Sequence, residues 1–403
     1  MRFGVFYELQ LPKPWGPGEE HRIVQEAIDQ VVLADQIGIH HAWAVEHHFL
    51  DEYSHCSASD VFLSALAAKT KNIRVGFGIR QVIPKYNHPA RTAEAVAMLD
   101  LVSSGRVEFG IGESATRMEL RGFNISARDK RSASLEAAEQ IANMMVMDPY
   151  PGFEGEHFSM PCRNVLPKPL QQPHPPMWIA CSNRSTIEVA ARNGIGALAF
   201  AFVDAEEAKR WADVYYSIIR SDECVPIGHA VNANIAMVTP FSLHADSEQA
   251  VANGIDGFRF FAYAQRALIS KDNVPGRTTI WDDYSAERSG AAFAGAPGIG
   301  TPEQFAELVR TYEDVGVDQM IFLQQGGKNR HEDICHSLRL FGEHVLPEFE
   351  ARRAEREQRK AADLAPYIEA ALARKQWMQP LADDAIPPVE ASAGVAEKFR
   401  KAY

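Results

Sequence analysis

The sequence predicts an α/β chain folded as a closed (β/α)8 TIM barrel with insertions and a C-terminal helical extension, and three observations predict it. Short runs rich in β formers alternate with segments of helical apolar spacing from the first residues onward. Eight such strand-and-helix units can be counted before residue 347. No G-x-G-x-x-G turn follows the first strand, where the rival architecture, a doubly wound open sheet, would carry its dinucleotide fingerprint.

The first strand is residues 2–7, followed by a helix over 19–37 with Ile23, Ala27, Ile28, Val31, Val32 and Ala34 at helical spacing and Gly38 to stop it. The pattern repeats as strand 41–47, helix 59–69, strand 73–79, helix 88–102 closed by Gly105, and strand 107–112. A long helix over 128–147 leads to PGFEGEHFSM and VLPKPLQQPHPP, an excursion outside the main sheet. Strand 177–180, helix 186–192, strand 197–202, helix 205–220 and strand 231–238 restore the alternation. After a helix from about residue 247, residues 271–300 are rich in Gly, Ser and Pro and read as a long loop or lid. Thr301, Pro302 and Gln304 then spell an N-cap, an N1 proline and an N3 capping-box partner. Strand 319–323 and helix 332–343 complete the barrel. The domain reading is therefore a barrel over 1–346, with insertions near 148–176 and 266–300, and a charged helical extension with an irregular tail over 347–403.

Composition narrows the function. With 46% hydrophobic and 23% charged residues the 403-residue chain can bury a large core, and a net charge of −12 argues against nucleic acid or an anionic membrane surface as partner. The N-terminus lacks the pattern of a signal peptide and no apolar run reaches spanning length, so a cytoplasmic location is expected. The five cysteines are scattered without a C-x-x-C pair, which predicts reduced thiols and no zinc site.

Chemistry in such a barrel belongs at the C-terminal ends of the strands. WAVEHHF, residues 43–49, ends the second strand and brings Glu46, His47 and His48 to that rim. Neighbouring strand residues point to opposite faces, so the three cannot chelate one metal together. A carboxylate beside paired imidazoles suits proton transfer, and a hydrogen-bonded rim histidine accounts for the same residues without chemistry.

GVFYELQ, GIHHAWAVEHHF, TKNIRVGFGIRQVIP, HPARTAEAVAMLDLVSSGRVEFGIG, KPLQQPHPPMWIACSNRSTIEVAARNG and GTPEQFAELVRTYEDVGVDQMIF, taken in order from residue 1 to about 346, resemble the bacterial luciferase family of flavin-dependent monooxygenases. The resemblance implies reduced FMN in the barrel mouth, reaction with O2 to a C4a-peroxyflavin, and transfer of one oxygen atom to a small organic substrate. It also implies a separate NAD(P)H:flavin reductase as partner and a homodimer or homotetramer. By the match of E-H-H-F, His47 is the catalytic histidine and Glu46 orients a histidine or holds the flavin edge; His48 is structural.

For the cofactor, CSNRST offers Ser182, Arg184, Ser185 and Thr186 at a helix N-terminus suited to the flavin phosphate, although a plain N-cap explains one of those hydroxyls. Gly78 in GFGIR resembles the segment on which the isoalloxazine rests, sometimes with a non-prolyl cis peptide; a β-bulge glycine reads equally well. GIGES, with Gly112, Glu113 and Ser114, forms the opposite wall. The reactive cysteine of luciferase corresponds to Gly112 and the following arginine to Glu113, so Arg117 or Arg121 is the expected substitute phosphate contact, and the glycine is expected to widen the pocket. Residues 271–300 are placed to close over the site. Phe77, Phe109, Phe200, Phe202, Phe258, Phe260, Phe261 and Phe293 are candidate walls for an apolar or aromatic substrate. Two other readings stand beside this one: a relative using the deazaflavin F420 for hydride transfer, and a flavin-binding protein without catalysis.

Overall fold

Eight parallel strands close on themselves in the order β1-β2-β3-β4-β7-β8-β9-β12, with β12 pairing back to β1, in the computed structural model of the chain, which describes residues 1–200, 202–288 and 295–390. The barrel strands are β1 (Arg2–Tyr7), β2 (His41–Ala44), β3 (Arg74–Gln81), β4 (Val107–Gly112), β7 (Met177–Cys181), β8 (Gly196–Ala199), β9 (Ile235–Thr239) and β12 (Gln319–Leu323). Between them run helices α1 (Glu19–Ile37), α2 (Ser59–Lys69), α3 (Pro89–Val102), α4 (Arg117–Gly122), α5 (Lys130–Val146), α6 (Arg184–Arg192), α7 (Ala205–Ile219), α8 (Ser247–Ser270), α9 (Ile280–Arg288), α10 (Pro302–Asp314) and α11 (His331–His344). Their ends follow local chemistry. Gly38 stops α1 at φ 91°, Pro89 opens α3 behind a His88 cap, and Thr301 and Gln304 form the reciprocal capping box of α10.

The interior is filled by two tryptophans that only glycine neighbours admit. A Cβ on Gly76 would lie 2.3 Å from the Trp43 ring, and one on Gly196 the same distance from Trp178. The two rings meet edge to face at 5.5 Å and make the floor beneath the barrel mouth.

Several expectations change. The second strand ends at Ala44 rather than running to His47: Glu46 N–H still reaches the Ile79 carbonyl of β3, but His47 N–H turns away to the Cys56 carbonyl. The third strand extends to Gln81, with a register shift between Phe77 and Arg80 and a cis Gly78–Ile79 peptide. Residues 148–176 contain a separate hairpin, β5 (Tyr150–Glu154) and β6 (Ser159–Arg163), and Lys168 donates to the carbonyls of Met144 and Met147 at the end of α5. A second small sheet pairs β10 (Ser242–Leu243) with β11 (Ile299–Gly300).

The expected loop 271–300 holds helix α9, which packs behind α8 through Trp281 and Phe260 and contributes no residue to the barrel-mouth cavity. Aromatic burial outweighed the Gly, Ser and Pro content of its flanks. Its N-terminus is tied by the buried Glu52 carboxylate, which accepts from Ile280 N, Trp281 N and Thr278 Oγ1. Phe293 lies outside the described residues.

The extension is helix α12 (Leu346–Arg374), lying across the N-terminal ends of the strands. Glu357 pairs with Arg2 and Lys360 with Asp318, while Arg352 and Arg356 hold Glu313. Phe349 is fully buried and meets Phe3 at 5.6 Å. Among the described residues no helix is long and apolar enough to cross a membrane.

Candidate active site

The C-terminal ends of the strands enclose a cavity of about 410 Å³, within the range of a cofactor pocket. His47 occupies one side. Its Nδ1 is 3.0 Å from Oε1 of Glu119 and its Nε2 is 3.8 Å from Oε2 of Glu8, with the Tyr53 ring edge-on at 5.7 Å. Burial by itself would lower the imidazole pKa, but the carboxylates of Glu119 and Glu8 outweigh it and hold the ring up at about 9. Burial likewise opposes ionisation of Glu119, yet His47 and the donors around it depress that carboxyl to about 2. Glu8 behaves oppositely, since its burial outweighs His47 and pushes it up to about 7. The site therefore carries an imidazolium at neutral pH, gripped from the Nδ1 side.

Neither carboxylate is among the residues that the sequence singles out. Glu8 directly follows β1, a strand end of the kind that bears function in a barrel. Glu119 stands in T-x-x-E, a helix-start signature after β4: its N–H donates to Thr116 Oγ1, and its carboxylate accepts from Thr116, Ser114 and the His48 N–H. Ser114, expected among the cofactor contacts, thus spends its hydroxyl on Glu119 at 2.6 Å.

Glu46 does not reach His47. It accepts from Asn87 at 2.8 Å and from the Gln81 N–H at 3.3 Å, and lies 3.1 Å from Nε2 of His48. Glu46 therefore orients His48 and ties the rim to β3. Because the segment has left the sheet, strand alternation does not govern it, and both Glu46 and His47 border the cavity. Among the described residues no three His, Cys, Asp or Glu are arranged to hold a metal.

The opposite end of the cavity is cationic. Lys130 and Arg131, from the first turn of α5, border it with Ser134, whose buried hydroxyl has no partner. Arg131 makes a two-pronged pair with Glu113 at 2.6 and 2.8 Å, and Lys130 donates to the Ser114 carbonyl. Glu113 therefore positions two cations that an anion would meet. Ser182 and Thr186 also border this end, but Thr186 Oγ1 is engaged in the capping box of α6, accepting from the Ser182 and Asn183 N–H groups. Two expected contacts point elsewhere: Arg184 pairs with Glu207 at 3.0 Å, and Ser185 donates to Asn183 at 2.7 Å. Neither borders the cavity, and Arg117 and Arg121 are exposed outside it.

Between the two ends lie Gly78, Ile79 and Gly112. The absent side chain of Gly112 does not widen the pocket as expected, because Ile79 Cδ1 sits 2.2 Å from where its Cβ would be. Of the aromatic candidates, Phe200 and Phe261 border the cavity along with Phe6 and Tyr53. Phe77, Phe109 and Phe260 are sealed in the core, and Phe202 packs on Phe258 at 4.8 Å. A stretch lined by Phe6, Ile79, Ile179 and Phe200 thus joins a cationic end to His47. Unpartnered Ser134 with the two α5 cations suits a phosphate, and that stretch suits a planar ring system such as the isoalloxazine of FMN.

The family model described as luciferase-like monooxygenase matches residues 1–319. The oxygenase component of the flavin-dependent trigonelline monooxygenase of Acinetobacter baylyi is 31% identical over 199 residues, covering 48% of this chain and 52% of that protein. The chain spans about half the length of the first curated relatives it matches. The alkanal monooxygenase alpha chain of the Kryptophanaron alfredi symbiont is matched over 86% of this chain and 98% of that one at 23% identity. The crystal structure of monooxygenase RslO1 from Streptomyces bottropensis superimposes with a TM-score of 0.71 at 26% identity, covering 87% of this chain and all of the other.

Proposed function

Because the chain belongs to the luciferase-like monooxygenase family, we propose that it is the oxygenase component of a two-component, FMNH2-dependent monooxygenase that places one oxygen atom of O2 into a small organic substrate. The observation that carries the reading is a single cavity with His47 on one side and the Lys130, Arg131 and Ser134 group at its far end. Reduced FMN, when bound, supplies the electrons that activate O2.

The chain's own residues do the rest. Lys130, Arg131, Ser134 and the Ser182 region hold the phosphate, with Glu113 fixing the two cations. Gly78, Ile79 and Gly112 line the stretch of the cavity where a flat ring would lie. Glu119 fixes the direction of His47, so that Nε2 faces the cavity and holds or gives a proton there. Phe200, Phe261 and Tyr53 keep water from the reacting atoms and favour an apolar or aromatic substrate. A separate NAD(P)H:flavin reductase supplies the reduced cofactor, as the naming of the Acinetobacter relative as an oxygenase component supports. The remaining parts of the proposal are a cytoplasmic location and assembly as a homodimer or homotetramer.

The test is stopped-flow absorbance of the protein with reduced FMN, mixed with O2, for wild type and His47→Ala. Bound flavin whose reoxidation differs from that of free flavin, and changes in the variant, supports the proposal. Reoxidation as fast as in free solution overturns it; turnover with F420 in the same cavity would then select the hydride-transfer reading, and flavin binding without turnover the non-catalytic one.

A further inference from the structure

We propose that Glu8 is a second proton-carrying group of this site, exchanging a proton between its Oε2 and Nε2 of His47, while Glu119 on the other ring nitrogen is a positioning residue. The proposal rests on the reading of the barrel-mouth cavity as the oxygenation site.

Four carboxylates surround the chemistry, and three have both oxygens engaged. Glu46 is bound by Asn87, His48 and the Gln81 N–H, Glu113 by Arg131 and Lys130, and Glu119 by His47, Ser114, Thr116 and the His48 N–H. Glu8 differs. It is 3% exposed, borders the cavity, and its buried Oε2 has no hydrogen-bond partner. His47 Nε2 lies 3.8 Å from it. A small side-chain rotation brings that distance to the ~2.8 Å of a charge-assisted hydrogen bond. A buried carboxylate oxygen without a donor is costly, so Glu8 is driven either to protonate or to take that hydrogen bond.

Other groups around Glu8 leave this exchange open. Tyr53 hydrogen-bonds to it from the loop after β2, Glu119 repels its charge from α4, and the buried Cys56 thiol and Glu46 stand nearby without supplying a cation. Burial raises the Glu8 carboxyl to about 7, so that it can take or release a proton near neutral pH. In the exchange, the Nε2–H bond breaks and an Oε2–H bond forms. An imidazolium–carboxylate pair becomes a neutral imidazole beside a neutral acid, with no electrons gained or lost, and the reverse step restores it. Either partner can then present a proton to an oxygen atom in the cavity, and the other replaces it.

The decisive experiment follows the 15N shifts of His47 against pH in flavin-free protein, for wild type, Glu8→Gln and Glu119→Gln. The wild-type ring should show a lower inflection near 7 from Glu8 besides its own upper one. Glu8→Gln should erase the lower inflection and move the upper one down. Glu119→Gln should move the upper one further while keeping the lower. A His47 titration identical in wild type and Glu8→Gln overturns the proposal. Should Glu8→Gln fail to fold, Tyr53→Phe decides: losing a hydrogen bond that favours the Glu8 carboxylate should raise the lower inflection, and an unmoved inflection overturns the assignment. Because no flavin is present, this outcome is independent of whether the protein oxidises FMNH2. Loss of the oxygenase reading would show in the stopped-flow experiment while the coupling of Glu8 to His47 persisted.

Discussion

His47 and Glu119 lie 3.0 Å apart through Nδ1 and Oε1, and the same carboxylate oxygen accepts the N–H of His48. One side chain from α4 thus fixes both the ring of His47 and the backbone at His48, beyond the end of β2.

Stability should follow this pair. His47 is raised from 6.5 to about 9 on folding, so its contribution is full below 6.5 and is lost as the pH rises through 9. Glu119 is depressed from 4.5 to about 2, so its contribution is full above 4.5 and is lost as the pH falls through 2. Both are complete only between 4.5 and 6.5. Glu119→Gln should therefore lower the urea midpoint most within that window, less as the pH rises through 9 and less as it falls through 2, as parallel unfolding curves would show.

Cofactor affinity should respond to Arg131 and not to Arg184. Removing a charge-assisted contact worth about 1.5–3 kcal/mol predicts that Arg131→Ala weakens FMN binding roughly 10- to 100-fold. Riboflavin, which lacks the phosphate, should bind both forms alike. Arg184→Ala should leave FMN affinity within about twofold, because a partly exposed ion pair such as that with Glu207 contributes little. Fluorescence quenching titrations measure all three.

The floor of the site should not tolerate a methyl group. Gly76→Ala would drive a Cβ to 2.3 Å from the rigid Trp43 ring, which is already locked against Trp178. Overpacking of this kind costs about 1–3 kcal/mol, and thermal unfolding should record it as a lowered Tm.

The far end of the barrel matters for stability rather than chemistry. Phe349→Ala removes a fully buried ring from beneath β1 and should cost about 3–5 kcal/mol in chemical denaturation, while the FMN affinity of the folded protein stays unchanged.

The sequence by itself determined the alternation and hence the barrel. Helix α1, helix α2 and strands β1, β4 and β12 fall on the residues that periodicity and local caps indicate, since apolar spacing, Gly38 and the Thr301 box act within a few residues of themselves. It also brought Glu46 and His47 to the rim. Tertiary structure decided what each rim residue touches. Glu8 and Glu119 are separated from His47 by 39 and 72 positions, and Lys130 and Arg131 reach the cavity from the first turn of α5. The reach of Arg184 towards Glu207, the engagement of Ser114 with Glu119 and the filling of the Gly112 space by Ile79 likewise depend on atoms that only folding brings together. Backbone periodicity is a property of neighbours along the chain; hydrogen-bond partners, burial and the pKa values they set are properties of neighbours in space.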